Sequence, residues 1–372
     1  MRKIIIILLI IIFVGACKSN KEVYDQFNKI QSEIVIVAID EKSQKDLHDF
    51  SWQRILYANF LKFFRKNRYE PRMIVFDLFF DQNKETLIDK NLIKKISHEI
   101  VLNKIIQKSK SKKDFKKKLN KLLKKYLDND KYFVNELVKH KNIYSIIDAA
   151  NIIEDDFIND FTDYQKRFSL MIKDDFKKVK LENNLGLIII PPLREISKTM
   201  KGFGHALIFI SSNKIPIITN YFNGVLIPHI ALKIAMDYYQ IDVRDTLIVP
   251  GKYIQFKKAK IPMKKWVKTE NGFNVKIIGH KKKDLFIPIN KYAEFKFKLY
   301  NKANSFKTIS FVDLMKNKNR YNSSFFKNKI ILIGYHNAGV RNIKDCHYTN
   351  KGYMFGVEIL ANIIHGLINQ KF

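Results

Sequence analysis

Continuous apolar runs and helically spaced ones alternate along this chain. EIVIVAID at residues 33–40 and RMIVFDLFF at 72–80 are nearly unbroken stretches of β-branched and aromatic residues, the pattern of strands covered on both faces. Between them, SWQRILYANFLKFFRKN places Ile55, Leu56, Phe60, Leu61 and Phe64 on one helical stripe. Strand, helix and strand of these lengths predict a βαβ unit. The texture then changes. Leu92, Ile93, Ile96 and Ile100 share one helical face, and Phe115, Leu119, Leu122, Leu123 and Tyr126 share another, with lysines between them. This predicts a Lys-rich helical insertion over 84–130.

Strand-like runs resume at NIYSIIDAA from Asn142, at LGLIII over 185–190, and over 205–220, where a turn at 212–214 predicts a hairpin. IPHIALKIAMDYY predicts a helix after Pro228. KYIQFKKAKIPM and FNVKIIGHKKKDLFIPIN predict short strands, and KIILIG at 329–334 predicts a last buried one. GVEILANIIHGLINQKF, from Gly356, predicts a closing amphipathic helix. Helices alternate with strands at both ends and hairpins fill the middle. The expected class is therefore α/β, a mixed, largely parallel sheet flanked by helices and carrying the Lys-rich insertion. No internal repeat and no Pro- or Gly-rich linker divides the chain.

The first residues change the picture of where this domain works. MRKIIIILLIIIFVGACKSN sets Arg2 and Lys3 before an apolar run from Ile4 to Val14, then Gly15 and Ala16 before Cys17. That is the order of a secretory signal, and the run is shorter than the roughly 20 residues a membrane span needs. VGAC resembles a bacterial lipobox, which implies cleavage before Cys17 and acylation of its thiol. The expected organisation is a lipoprotein-type signal peptide at 1–17, a linker at 18–33 and an extracytoplasmic domain over 34–372. An uncleaved signal anchor is the alternative, with the same placement of the domain.

Composition adds size and charge. With 372 residues, 46% of them hydrophobic, the chain can bury a substantial core. Its 68 Lys+Arg against 36 Asp+Glu give a formal charge of +32, which either meets an anionic neighbour or reflects a codon bias towards Lys, Ile and Asn. Nucleic acid is not expected as a partner, because the domain lies outside the cytoplasm and no helix-turn-helix, zinc-finger or RNP-type motif occurs. Cys17 and Cys346 are the only cysteines, too few for a disulfide framework or a cysteine-built zinc site.

Candidate chemistry concentrates at strand ends. Asp40 ends the first strand, Asp77 lies at the end of the second, and Gly334 closes the last. In open α/β sheets this is the edge where ligands bind. A carboxylate pair there could hold a cation or act as acid and base, although such residues more often cap helices. The loop IGYHNAGVRNIKDCHYTNKG brings His336, Asp345, Cys346 and His347 close in sequence at no standard metal-site spacing. Cys346 reads as a half-buried thiol. No P-loop, HExxH, GxSxG or GxGxxG in the right context occurs, so no catalytic residue, metal or cofactor is expected.

Five stretches together resemble the type-two CHASE domain, CHASE2, an extracellular sensor module of bacterial adenylate cyclases, histidine kinases and Ser/Thr kinases. IVIVAIDEKS resembles its opening strand and turn, with Asp40 and Ser43. SWQRILYANFLKFF is similar to its Pro-Trp-x-Arg helix start, keeping Trp52 and Arg54 with Ser51 in place of proline. MIVFDLFFDQ carries Asp77, GFGHALIF carries the Gly-His pair with His205, and KNKIILIG followed by FGVEILANIIHGL carries Gly334, Gly356, Glu358 and Asn362. SSNKIP replaces the family's Asp-x-Asp-Gly turn, and DCHYTNKG shows no Thr-Pro.

The resemblance implies a sensory, ligand-binding domain of signal transduction with candidate ligand contacts at Asp40, Ser43, Trp52, Arg54, Asp77, His205, Gly334 and Glu358. The expected partners are a small ligand or a membrane signalling protein, the membrane itself through lipid at Cys17, and a second copy in a homodimer. In the family the closing helix feeds transmembrane helices and an output domain, so the expectation here is a sensor without its catalytic output. Two other readings are a secreted metal-dependent hydrolase using Asp40 and Asp77, and a cationic surface lipoprotein for adhesion.

Overall fold

A computed structural model describes residues 33–47, 54–80, 111, 113–119, 129–150, 188–190, 192–221, 225–269, 272–299, 303–317, 321, 323–336 and 345–371. The leader with Cys17, the linker to Glu33, Trp52 and most of the 84–130 insertion lie outside the described residues. Residues 113–119 of the insertion are helical.

The elements run β1 (Ile34–Ile39), α1 (Glu41–Leu47), α2 (Arg54–Lys66), β2 (Met73–Phe76), α3 (Asn129–Leu137), β3 (Ile143–Ala150), β4 (Ile188–Ile190), α4 (Arg194–Thr199), β5 (Gly202–His205), β6 (Lys214–Pro216), β7 (Ile218–Tyr221), β8 (Val225–Pro228), α5 (Ile230–Tyr238) and β9 (Thr246–Val249). They continue as β10 (Tyr253–Thr269), β11 (Gly272–Pro288), β12 (Glu294–Lys296), β13 (Lys307–Ser310), α6 (Phe311–Lys316), β14 (Ile330–Tyr335), β15 (Cys346–Thr349), β16 (Gly352–Phe355) and α7 (Gly356–Ile368).

Six strands pair in parallel in the order β13-β1-β14-β2-β3-β5, and β4 adds antiparallel to the far end of β3. The class is the expected mixed, largely parallel α/β sheet. Alternation across each strand sorts the core into two layers. Ile34 and Ile36 of β1 and Ile330 and Leu332 of β14 join α5 and α7 on one face. Val35, Val37 and Ile39, with Ile331 and Ile333, join α2, α3 and α6 on the other. That second face is rich in aromatic contacts, with Phe60 stacked on Phe311 at 5.3 Å and Tyr57 edge-on to Phe76 at 5.7 Å. Such pairs add about 0.5–1.5 kcal/mol each beyond their burial.

Four expectations change in detail. First, β1 and β2 are not neighbours, because β14, arriving from the far end of the chain, lies between them. Second, the predicted 205–220 hairpin is reduced to one antiparallel bridge, Phe209 with Lys214 about a turn at 210–213, and longer pairings form elsewhere. β6 pairs with β12, and a hairpin is formed by β7 and β8. The apolar alternation was correct but could not name a partner strand. Third, the two short strands after residue 250 are one hairpin of two 17-residue strands, β10 and β11, interrupted by register shifts at Phe256/Ala259 and Met263/Lys264. Fourth, α7 is not amphipathic, since all 13 of its residues are buried. A helix covered on all sides reads as apolar throughout, and Asn362 fits because its amide donates to the Glu358 carbonyl at 3.0 Å. No helix among the described residues is long and apolar enough to cross a membrane.

Candidate functional site at the carboxyl edge of the sheet

β14 ends between β1 and β2, and three elements meet at its last residues. The Asp77 amide, just past β2, donates to the Ile333 carbonyl at 2.8 Å. A Cβ on Gly334 would lie 2.9 Å from Val357 Cβ and 3.1 Å from Asp77 Cβ. Glycine at 334 therefore lets the first turn of α7 and the Asp77 side chain close on β14 together. Asp345 arrives over the same helix start. Its carbonyl accepts from the Gly356 amide at 2.9 Å, and a Cβ on Gly356 would fall onto its carboxylate. A carboxylate at a helix N-terminus is favoured by the exposed amides and the helix dipole.

The acids here differ in charge state. Burial first, and the Asp345 carboxylate second, push Asp77 up to about 8, so at neutral pH it carries a proton it can donate. Its carboxyl accepts no hydrogen bond from the described residues. Burial also raises Asp345, partly offset by His347, whose Nε2 stands 3.5 Å from Oδ1, and by the Gly356 amide. Glu358 behaves oppositely. Burial pushes it up, but donors outweigh that and hold it below the usual carboxylate range. The Asn304 amide donates to Oε1 at 2.7 Å and the Phe355 amide to Oε2 at 3.2 Å, and the His336 ring, with Nε2 3.6 Å from Oε1, adds electrostatic attraction without a hydrogen bond. The Phe355 contact is one half of a capping box at α7. Cys346 is half-buried, and burial, Asp345 and Glu358 raise its thiol.

The other residues singled out in the sequence are engaged elsewhere. Asp40 Oδ1 accepts from the Ser43 amide at 2.8 Å, the Ser43 hydroxyl at 2.5 Å and the Ser310 hydroxyl at 3.0 Å, which makes it a cap for α1. Ser43 Oγ in turn accepts from the Val312 amide at 3.2 Å. Arg54 donates to Asp130 at 2.5 Å, tying α2 to α3. His205 is wholly buried, with Nδ1 accepting from the Leu207 amide at 3.4 Å, Nε2 3.2 Å from Thr219 Oγ1, and the His229 ring edge-on at 5.2 Å. Burial holds both histidines neutral, His205 well below its ordinary value and His229 down at about 3. A Cβ on Gly204 would meet the Pro228 carbonyl and the Ile230 amide at 2.6 Å. The Gly-His pair thus lets β5 cross against the start of α5.

The structure brings Asp77, Gly334 and Glu358 to one edge and adds Asp345 and His336, which the sequence offered only as a metal-like loop. The signal that could have found them is position, since that loop joins the last parallel strand to the N-terminus of the closing helix. Asp40 and Asp77 are separated by β14, and among the described residues no three His, Cys, Asp or Glu side chains come together to hold a metal. The arrangement offers a proton donor, paired acids and a helix start, which suits recognition of a small polar ligand.

The CHASE2 domain family model matches residues 4–372. Neither a curated protein nor a solved structure matches the chain. CHASE2 is an extracellular sensory domain of signal-transduction proteins, and the strands and closing helix that carry the motifs form the sheet and edge described above. With nearly every residue accounted for by that match, the chain belongs to the CHASE2 domain family.

Proposed function

We propose that this chain is an extracytoplasmic, membrane-tethered sensory domain whose ligand binds over the carboxyl ends of β14 and β2, against Asp77, Asp345 and the start of α7. The observation that carries this reading is Asp77. A carboxyl pushed up to about 8 beside a second acid, with no cation to answer it among the described residues, suits a ligand that brings a hydrogen-bond acceptor or a positive charge. Because Gly334 lies against both Asp77 and Val357 of α7, a ligand that neutralises or displaces the acids biases the position of that helix, and differential contact of this kind is what signalling requires. The family match takes up residues 4–372, and the role proposed for them is sensing rather than catalysis. The tether is Cys17, supported by the basic, apolar and small-residue order ahead of it.

Two measurements test the reading. A thermal-shift panel of small amines, amides and carboxylic acids at neutral pH is run on the wild-type chain, Asp77→Ala and Asp345→Asn. The expected result is a stabilising compound whose shift disappears in both variants while their far-ultraviolet spectra stay native. A shift retained in both would place ligand binding elsewhere. For the tether, mass spectrometry of the membrane fraction is expected to find acylated Cys17, and Cys17→Ser is expected to release the chain.

A further inference from the structure

The β10–β11 hairpin is a cationic ribbon. Its two strands carry ten lysines against one acid, Asp284, and that acid is taken up by the Gln255 side chain at 2.9 Å and the Lys258 amide at 2.8 Å. Lys260 faces Lys282 and Lys265 faces Lys276 directly across the ladder, and all four are exposed. Opposed like charges weaken an antiparallel pair, and none of these four forms an ion pair with an acid among the described residues. Between them stand the apolar side chains of Met263, Val267 and Ile278, the last 58% exposed. Alternation puts Met263, Lys265 and Val267 on one face and turns Lys260 and Lys264 the other way, Lys264 onto the domain. Its ammonium meets the Glu33 carboxylate ahead of β1 and donates to Asn369 Oδ1 at 3.2 Å just beyond α7. The ribbon therefore lies beside the point where the segment from Cys17 enters the domain.

We infer that the outer face of this ribbon, around Lys265 and Lys276, docks on an anionic phospholipid bilayer. Lysines beside anionic headgroups each gain about 1 kcal/mol, and interleaved apolar side chains enter the headgroup boundary, where a soluble polyanion gives them nothing. The proposal is independent of the ligand site at the opposite edge of the sheet.

The chain has two tryptophans, and one of them, Trp266, lies on the ribbon next to Lys265. In the full chain carrying Trp52→Phe, emission of Trp266 is expected to be quenched by vesicles of brominated phosphatidylglycerol and not by brominated phosphatidylcholine, and about 0.5 M salt is expected to abolish the difference. Adding Lys265→Gln and Lys276→Gln is expected to weaken partitioning about thirtyfold. Should Trp52→Phe unfold the chain, co-sedimentation of the otherwise unsubstituted protein with the same vesicles, with and without the lysine substitutions, gives the same comparison. Equal binding to both lipids, or undiminished binding after the lysine substitutions, overturns the proposal. So does lysine-dependent binding to soluble heparin without quenching by brominated lipid, which would make the ribbon a polyanion site.

Discussion

The two edges of the central sheet both bury charge, and they treat it in opposite ways. At the amino edge Glu33 precedes β1, Arg72 precedes β2 and Lys329 precedes β14. Glu33, only 2% exposed, accepts from the Tyr238 hydroxyl at 2.7 Å and meets the Lys264 ammonium. Arg72 donates to the Tyr238 carbonyl at 2.5 Å and lies 3.9 Å over its ring. Burial pushes Lys329 down to about 8, with Glu33 opposing that shift. At the carboxyl edge Asp77 and Asp345 are both raised, and among the described residues Asp77 has no such answer. A buried charge that serves only the fold is neutralised locally. One left uncompensated among the described residues, at the edge where we propose a ligand binds, fits the proposed function.

The largest expected effect comes from breaking the compensated edge. Glu33→Gln leaves the half-buried Lys264 and the buried Lys329 without their carboxylate, and removing one partner of such a cluster costs about 3–5 kcal/mol. Urea unfolding at neutral pH is the measurement. A loss below about 1 kcal/mol would mean the amino edge is no better compensated than the other.

Asp77→Asn is expected to do the reverse. The folded pKa of Asp77 is raised from an ordinary value near 4 to about 8, so the unfolded chain releases this proton more readily and stability falls as pH rises between those values. The slope is roughly 1.4 kcal/mol per pH unit at most. The asparagine variant should match the wild type near pH 4 and exceed it at pH 8, with a flatter stability profile between. Lys329 has the opposite sign. Its lowered pKa makes stability rise from about pH 8 towards its ordinary range near 10.5, so the two edges bend the profile in opposite directions. Identical profiles for wild type and Asp77→Asn would remove the contrast on which the ligand site rests.

The sequence showed the fold more fully than the site. Runs such as IVIVAI and IILIGY are apolar at every position because both faces are covered, and that signal survives without any partner in view. Pairing does not survive in the same way. Nothing local places β14 between β1 and β2, or joins β6 to β12, because these are contacts across long separations. Asp77 and Gly334 were legible as strand ends. Asp345 was not, since its importance comes from lying on Gly356 at a helix start. Asp40 looked equivalent to Asp77 in sequence, and the Ser43 amide and the Ser43 and Ser310 hydroxyls mark Asp40 as a cap, while Asp77 accepts no hydrogen bond from the described residues.

Gly334→Ala sharpens the comparison at the site itself. The added methyl meets Val357 at 2.9 Å and Asp77 at 3.1 Å, and overpacking of this kind costs about 1–3 kcal/mol. Relief requires α7 or Asp77 to move outward. If Asp77 moves, its carboxyl gains solvent, and the acid-to-neutral slope of the stability profile should shrink towards that of Asp77→Asn. A full slope combined with lost stability would show that the helix moved instead.

The smallest effect is expected at Glu358, which shares the carboxyl edge but is compensated like the amino edge. Burial raises it, and the Asn304 and Phe355 amides with His336 more than offset that, so its folded pKa lies below the unfolded value. Its contribution to stability is therefore present above the ordinary glutamate range and lost as pH falls through the lowered folded value. Glu358→Gln keeps an acceptor for one amide, gives up the charge at the start of α7 and should cost about 1 kcal/mol at neutral pH, and the cost should vanish at low pH. Asp77→Asn and Glu358→Gln thus act at neighbouring positions with opposite signs at pH 8. Measured on the same urea series, a gain from the first and a loss from the second would separate an acid held for a ligand from an acid held for a helix.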